Sequence, residues 1–454
     1  MSVPVIDRLA TLDGRIPCRR GGSVLIVSPH FPPSTLAGVH RARHLAKHLP
    51  HHGWRPVIIR AHERHYVEAP DPALAELVPG DVEQMRTDAI PAPIARLAGI
   101  GDMGLRAFFP IARAISVGVA RYAPRAVLIT GSPYYPMLLA GWARKRFGLP
   151  VILDFQDPWV STDRPRKSLW SKAWLSHRLG EALEPRAVCE ASWITSVSDT
   201  QNIELAARYP CVDADRMTAI PIGGDPDDFA AMRVWPRSAP NVRLDDGYLN
   251  ICYVGTFLPR AGPVVQALFE AAARVRREQP DVGTRLRLVF VGTSNQPAGA
   301  TAASPTHRIM PIAVAAGVSD LVREYTSRVP FLEALSLLAN ADGILLLGSD
   351  EAHYTASKIY PALMSGSPWL SIFHGKSSAH TILTRAGGGV AFAFTDIADL
   401  TGLVPAIADG LLRLASAPSS LGSVDPAAYA PFTAHAVAGR FAEVFENVVN
   451  SSRS

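Results

Sequence analysis

The sequence predicts an α/β protein built from two Rossmann-like, doubly wound domains that face each other across a cleft. Three observations carry this. The chain has 454 residues, more than one core ordinarily organises, and it fits two domains of roughly 200 residues each. Apolar runs of roughly four to eight residues alternate with stretches of helical spacing, the pattern of a parallel sheet covered on both faces. The alternation stops in one Pro-, Asp- and Arg-rich stretch, Gly223 to Tyr248, and then restarts. The expected boundaries are 1–225 for the first domain, 226–248 for a linker, 249–425 for the second domain and 426–454 for a closing helix.

SVLIVSP (Ser23–Pro29) reads as the first strand. A proline-rich loop, FPPSTLAGVH, follows it, and RARHLAKHLPHHG then keeps helical spacing up to Gly53. RPVIIRA, RAVLITG, LPVILDF, SWITSV and RMTAIPIG are the next strands. Beyond the linker, YLNICYVGTF, RLRLVFVGT, DGILLLGS, SPWLSIF and GGVAFAF are strands, and FTAHAVAGRFAEVFENVV is an amphipathic helix. Right-handed crossovers place the C-terminal ends of the strands on one edge, so ligand groups are sought in the loops that leave there.

Composition narrows the functional classes. Hydrophobic content is 48% and charge 19%, as in folded proteins and not in disordered ones. The net charge of +5 suits an anionic small ligand or a phospholipid surface. No basic run is interleaved with stacking aromatics, so nucleic acid is not expected. The four cysteines are scattered without a CxxC pair, which predicts a reduced, cytoplasmic protein. No apolar signal-peptide core opens the chain. AFFPIARAISVGVARY comes closest to a spanning helix, but Arg113 and Arg121 interrupt it.

In the first domain, Gly38 lets the backbone approach a ligand where a helix begins, against the plainer reading of a surface loop. His40, His44 and His48 share one helical face. With no carboxylate or thiol beside them in the sequence, they read as a partly exposed polar face and not as a metal site, with His40 nearest to substrate. DFQDPW places Asp154 and Asp157 at a strand end. They either accept a proton or hydrogen bond from a sugar hydroxyl or cap the Asp–Pro turn. Arg164 to Glu184 combines Arg164, Arg166, Lys167, Lys172 and Arg178 with Trp170, Trp174 and Leu175. That is either a bilayer-docking segment or an ordinary solvated face with inward tryptophans.

In the second domain, Gly255 and Thr256 offer backbone amides to a diphosphate, and Arg260 offers a charge. Gly292 repeats the strand–Gly–Thr pattern. In HYTASKIYPALMSGSPWL, Ser357 is the expected N-cap, with Lys358 as a cation beside the helix start. Pro361 then takes either the fourth helical position or the first position of a later helix. Ser377, with Ser378, is a second capping candidate on the same edge.

In this order and spacing, the pieces resemble the GT-B glycosyltransferases, particularly the retaining glycosyltransferase family 4 of bacterial envelope and capsule sugar transferases. The resemblance rests on VLIVSPHFPPSTLAGVHRARHLAKHL, VILDFQDPW, ITSVSDTQN and MTAIPIGGDPDDF in the first half. In the second half it rests on ICYVGTF, LVFVGTS, RVPFLEALSLLANADGILLLGS and SKIYPALMSGSPWL. It implies a nucleotide-diphosphate-sugar donor on the second domain, a glycan or lipid-linked acceptor on the first, and no cofactor or metal. It further implies a last helix that crosses back to the first domain. The cytoplasmic placement rests on the cysteines, and peripheral contact with an anionic membrane on the docking reading of Arg164 to Glu184. Such relatives carry two glutamates before the glycine corresponding to Gly366; here those positions are His353 and Pro361. Asp350 and Glu351 are the nearby acids left to reach sugar or ribose. Arg260 falls near the family's phosphate-binding arginine, although Ala261-Gly262 replaces its usual Lys-Gly partner. Backbone at Val329 and Pro330 is expected to meet the base. Gly38, His40 and Asp154 are the acceptor-side candidates, and Arg260, Lys358 and Asp157 the catalytic ones. The missing glutamates also motivate a binder without turnover, and the architecture alone admits a sugar-nucleotide epimerase.

Overall fold

The structure, a computed structural model, describes residues 22–160, 171–235, 241–258, 260–296, 306–351 and 357–451. Among the described residues thirteen strands form two sheets. In chain order they are β1 (Ser23–Val27), β2 (Arg55–Ala61), β3 (Glu83–Thr87), β4 (Ala126–Gly131), β5 (Val151–Phe155), β6 (Trp193–Ser196) and β7 (Met217–Ala219). The second set is β8 (Leu249–Val254), β9 (Leu286–Gln296), β10 (Val322–Ser327), β11 (Gly343–Leu347), β12 (Trp369–His374) and β13 (Gly389–Phe394). The sheet orders are β3-β2-β1-β4-β5-β6-β7 and β10-β9-β8-β11-β12-β13. Among the described residues every strand pair is parallel.

Val24, Leu25, Ile26 and Val27 are all fully buried, because helices cover both faces of the sheet; this is why the strand reads as an unbroken apolar run. In each sheet the winding reverses beside its first strand, between β1 and β4 and between β8 and β11. Such reversals leave a crevice at the carboxyl ends of the strands.

Part of the expected linker is ordered. Pro226–Val234 is a helix with Asp225 at its N-cap, accepting from the Asp227 N–H at 3.1 Å, and Pro226 in its first turn. It buries Phe229 and Met232 against Leu332 and Leu335 of the second domain. The sequence window was too short for its period to show, but the Asp–Pro start is a capping signal. Ala434–Ser451 lies on the first domain, burying Val437, Phe441 and Phe445 with Val24, Ile26 and Trp54.

The expectation of reduced cysteines is corrected. Cys189 and Cys211 form a disulfide with a Cα–Cα distance of 5.4 Å, while Cys252 is free and buried. The helices Lys172–Val188 and Asp199–Arg208 bring their C-terminal ends together, which a search for close-spaced cysteines does not test. Among the described residues no helix is long and apolar enough to cross a membrane.

Candidate active site

A cleft of about 370 Å³ opens between the two domains, within the range of small-molecule sites. Its second-domain wall comes from β9, from the loops after β8, β10 and β11 and from the helix Ile359–Ser365, and includes Gly255, Gly292, Val329, Ser357, Lys358 and Pro361. Its first-domain wall includes Thr35, His40, His44 and Asp71. The walls therefore combine the switch point of the second sheet with the loop that leaves β1.

Lys358 is the best-supported cation in the cleft. Its Nζ donates to the Tyr253 hydroxyl at 2.7 Å and stands 4.2 Å from the centre of that ring. The Tyr253 hydroxyl donates in turn to the Thr256 carbonyl at 2.9 Å. Burial pushes the Tyr253 pKa up, so the phenol stays protonated and accepts from the ammonium as a neutral group. Gly255 has φ +143, and a Cβ there would come within 2.7 Å of Lys358 Nζ. The backbone angle favours glycine there, and a Cβ would displace the lysine's tip from its place on Tyr253.

Arg260 and Asp350 hold each other. Nε lies 2.6 Å from Oδ1, and Nη2 donates to Oδ2 at 2.8 Å, with Glu351 4.0 Å away. Arg328, which the sequence did not single out, lines the cleft and donates to the Thr35 carbonyl at 2.5 Å. The Phe331 N–H donates to Asp71 at 2.8 Å. These two bonds join the loop after β10 to the first domain.

Residues 37–223 match the glycosyl transferase 4-like domain family, and the sheets around the cleft supply the matching architecture. The chain has the GT-B fold, and its first domain is similar to the glycosyl transferase 4-like family. Solved structures agree in fold across nearly the whole length. A glycosyltransferase from Rickettsia africae shares 14% identity and a TM-score of 0.59, covering 94% of this chain and 99% of its own. Anabaena HepE in complex with UDP shares 14% and 0.55, covering 93% and 98%. WaaG, a glycosyltransferase involved in lipopolysaccharide biosynthesis, shares 13% and 0.56, covering 93% and 99%. A search of the curated proteins finds no matching sequence.

The GT-B frame shows where each expected residue falls. Ser357 lines the cleft but is not the cap: the helix is Ile359–Ser365, Lys358 occupies the N-cap, and no side chain bonds there. Pro361 is consequently the third helical residue, correcting both expectations for it. An amide there would have no intrahelical acceptor, so proline costs no helix bond. Ser377 does cap the helix Ser378–Ala386, accepting from the Ala379 N–H at 3.2 Å. It is buried and, among the described residues, is not part of the cleft lining. Thr256 lines the cleft beside Gly255, and exposed Pro330 starts the helix Phe331–Asn340 next to Val329.

On the first domain, the Gly38 carbonyl accepts from Gln156 at 3.1 Å, and its neighbours Ala37 and His40 line the cleft. The His40 ring packs 4.6 Å from Phe331, and burial, then the Arg43 charge, push its pKa down to about 3. It is therefore a neutral donor or acceptor at neutral pH. Asp154 is removed from the acceptor set. It is fully buried, 3.2 Å from Arg41, and accepts from Thr130 at 2.8 Å and Thr195 at 2.9 Å. A strand end within a wide sheet is interior, which the linear pattern does not show. Asp157 is on an exposed loop outside the described cleft lining, although surrounding protein pushes its carboxyl up to about 6 by desolvation.

The histidine face is also corrected. His44 and His48 are buried, and a carboxylate does meet His48, whose Nε2 lies 2.9 Å from Asp225. Arg43 forms a two-point pair with Asp228 at 2.7 and 2.6 Å and reaches His44 at 2.9 Å. His48, Asp225 and Asp227 bring ligand atoms within 4.8 Å of one another. The Lys47 ammonium already bridges those carboxylates at 2.8 and 2.9 Å, taking the place a cation would fill. His353 and the segment from Arg164 to Trp170 lie outside the described residues.

Proposed function

We propose that this GT-B protein transfers a sugar from a nucleotide-diphosphate-sugar donor to a glycan or lipid-linked acceptor, in envelope polysaccharide or glycolipid assembly at the cytoplasmic membrane face. The observation that carries the reading is Lys358, held by Tyr253 beside Gly255 at the switch point that forms the cleft. As the donor's C1–oxygen bond breaks, charge grows on the leaving diphosphate. A fixed ammonium there binds the transition state more tightly than the ground state. Arg328 adds a second cation in the cleft. Arg260 joins once the diphosphate displaces Asp350, which leaves Asp350 and Glu351 facing the sugar or ribose.

Gly255, Thr256, Gly292 and Ser357 would meet the phosphates, while Val329 and Pro330 would flank the base. His40 would meet a hydroxyl of the acceptor. The bond from the acceptor oxygen forms on the face the diphosphate leaves. The acceptor proton passes to a diphosphate oxygen, so configuration is retained and neither a carboxylate base nor a metal is needed. The UDP in HepE makes uridine donors the first to try.

Lys358→Ala tests the reading, with donor turnover and donor binding measured together. Turnover is expected to fall on the order of a hundred-fold, as for loss of one electrostatic group aimed at developing charge; unchanged turnover overturns it. Pro361 lines the cleft at a position where the family resemblance implies an acid, which favours one second reading, a binder without chemistry. Tight donor binding by the unaltered protein, with no consumption under any acceptor, would select it.

A further inference from the structure

We infer that His48, His51 and His435 form a binding site for a divalent transition metal of the zinc kind, at the joint between the helix Val39–His48 and the last helix. His48 ends the first of these helices, His51 lies in the turn Leu49–His52 that follows, and His435 is the second residue of Ala434–Ser451. The His435 ring centre stands 6.0 Å from that of His48, 5.8 Å from His51 and 4.5 Å from His52, and the rings of His48 and His51 are 6.0 Å apart. Two imidazoles on one tetrahedral zinc, each with a nitrogen about 2.0–2.1 Å from it, have their centres roughly 5 Å apart. The cluster is therefore close to the spacing of a shared metal. Chain distance conceals it, because His435 lies 383 positions beyond His52.

Hydrogen bonds around the cluster prepare its nitrogens. His48 Nε2 lies 2.9 Å from the Asp225 carboxylate, which the Lys47 ammonium also meets at 2.8 Å. A carboxylate accepts, so Nε2 carries the proton and Nδ1 keeps its lone pair. That Nδ1 is buried and, among the described residues, has no hydrogen-bond partner, on a side chain only 8% exposed. A buried nitrogen left unpaired costs free energy, and a metal would satisfy it. Metal-bound histidines ordinarily donate their other ring N–H to a carboxylate or a carbonyl in this way. His52 Nε2 donates to the His435 carbonyl at 3.0 Å, which ties the turn to the start of the last helix. Among the described residues, the ligand atoms already gathered within 4.8 Å are those of His48, Asp225 and Asp227, and Lys47 holds both carboxylates. The site proposed here uses the other nitrogen of His48. Closing it takes side-chain turns of His51 and His435, both of which are exposed. Imidazole ligands without a cage of oxygens suit zinc and not magnesium or calcium. None of the three is in the described cleft lining. The metal's part is to fasten the last helix where its Ala434 N–H donates to the Gly224 carbonyl at 2.7 Å.

The test is titration of the chelator-stripped full chain, freed of any histidine tag, with zinc. A chromophoric chelator in competition reads the affinity, and the melting temperature is followed with and without metal. The unaltered protein is expected to take up one zinc and to melt at a higher temperature with it, since the metal binds only the folded joint. His51→Ala and His435→Ala, each at an exposed position, are each expected to weaken zinc binding at least roughly ten-fold, the cost of losing even an outer partner of a metal site. Without zinc their melting temperatures should match that of the unaltered protein; if one variant misfolds, the other decides. His307→Ala, an exposed histidine of the second domain, is expected to leave zinc binding unchanged. A chain that takes up no zinc at micromolar concentration overturns the inference, as does equal affinity in a folded His51→Ala or His435→Ala protein. So does zinc that both histidine variants keep and Asp227→Asn loses, because the metal would then sit on the carboxylates. The inference does not rest on the transferase reading, and donor turnover bears on that reading alone.

Discussion

Tyr253 shows how much of the proposed site rests on single contacts. In an apolar strand an aromatic reads as core, and Tyr253 is indeed only 2% exposed. Its hydroxyl nevertheless holds the Lys358 ammonium, 105 positions away in sequence. Lys358 itself was legible from its place after a strand, but Tyr253 was not, because no local pattern links them. Tyr253→Phe keeps the ring and removes the 2.7 Å partner. It is expected to lower kcat about five- to ten-fold, the worth of one hydrogen bond to a charged group, with the donor KM less affected. Equal kcat in the two proteins would show that the ring alone positions the lysine. Gly255→Ala is expected to cost more, since it both strains φ +143 and pushes against Nζ.

The helix Val39–His48 carries a different lesson. Its spacing was readable, but its environment was not, because Asp225 and Asp228 arrive from a segment that looked like linker. His40 is pushed down to about 3, and His44 well below its ordinary value, by burial first and then by Arg43. Both are neutral in the fold, while the unfolded chain binds their protons below about pH 6.5. Stability is therefore complete above that pH and declines as pH falls, with a slope of up to about 1.4 kcal/mol per pH unit for each histidine. Urea melts at successive pH values from neutral towards acid are expected to show this decline, and His44→Gln should flatten it. A decline that begins only in the carboxylate range would assign it to Asp225, whose pKa the Lys47 and His48 contacts hold low against the opposing effect of burial.

Over the whole molecule, the two domains are joined by the chain's return as well as by the cleft contacts. The last helix packs Phe441 under the Arg41 guanidinium, 5.0 Å from the ring centre, and Phe445 edge-on to Trp54 at 5.2 Å. Arg41 also holds the Pro221 and Ile220 carbonyls at 2.7 and 2.6 Å, so the helix, the first sheet and the crossover segment share one buried joint. Phe441→Ala is expected to cost about 3–5 kcal/mol and to lower the melting temperature of the first domain. A loss below about 1 kcal/mol in denaturant melts would show that the joint tolerates the cavity.

Alternating apolar runs and helical spacing were enough to predict two parallel sheets and the edge that carries the cleft, because those features follow from period and crossover handedness, but they missed the edge strands β3 and β10, whose half-exposed sequences EQMRT and VREYTS form no apolar run. The places of Gly255, Gly292 and Lys358 beside the cleft were also legible, since they follow from position along a strand–loop–helix unit. Burial of Asp154, capture of Arg260 by Asp350, the disulfide and the approach of His435 to His48 and His51 were decided only when distant segments met. Each depends on which groups become neighbours and how much water remains between them, and a one-dimensional pattern holds neither quantity.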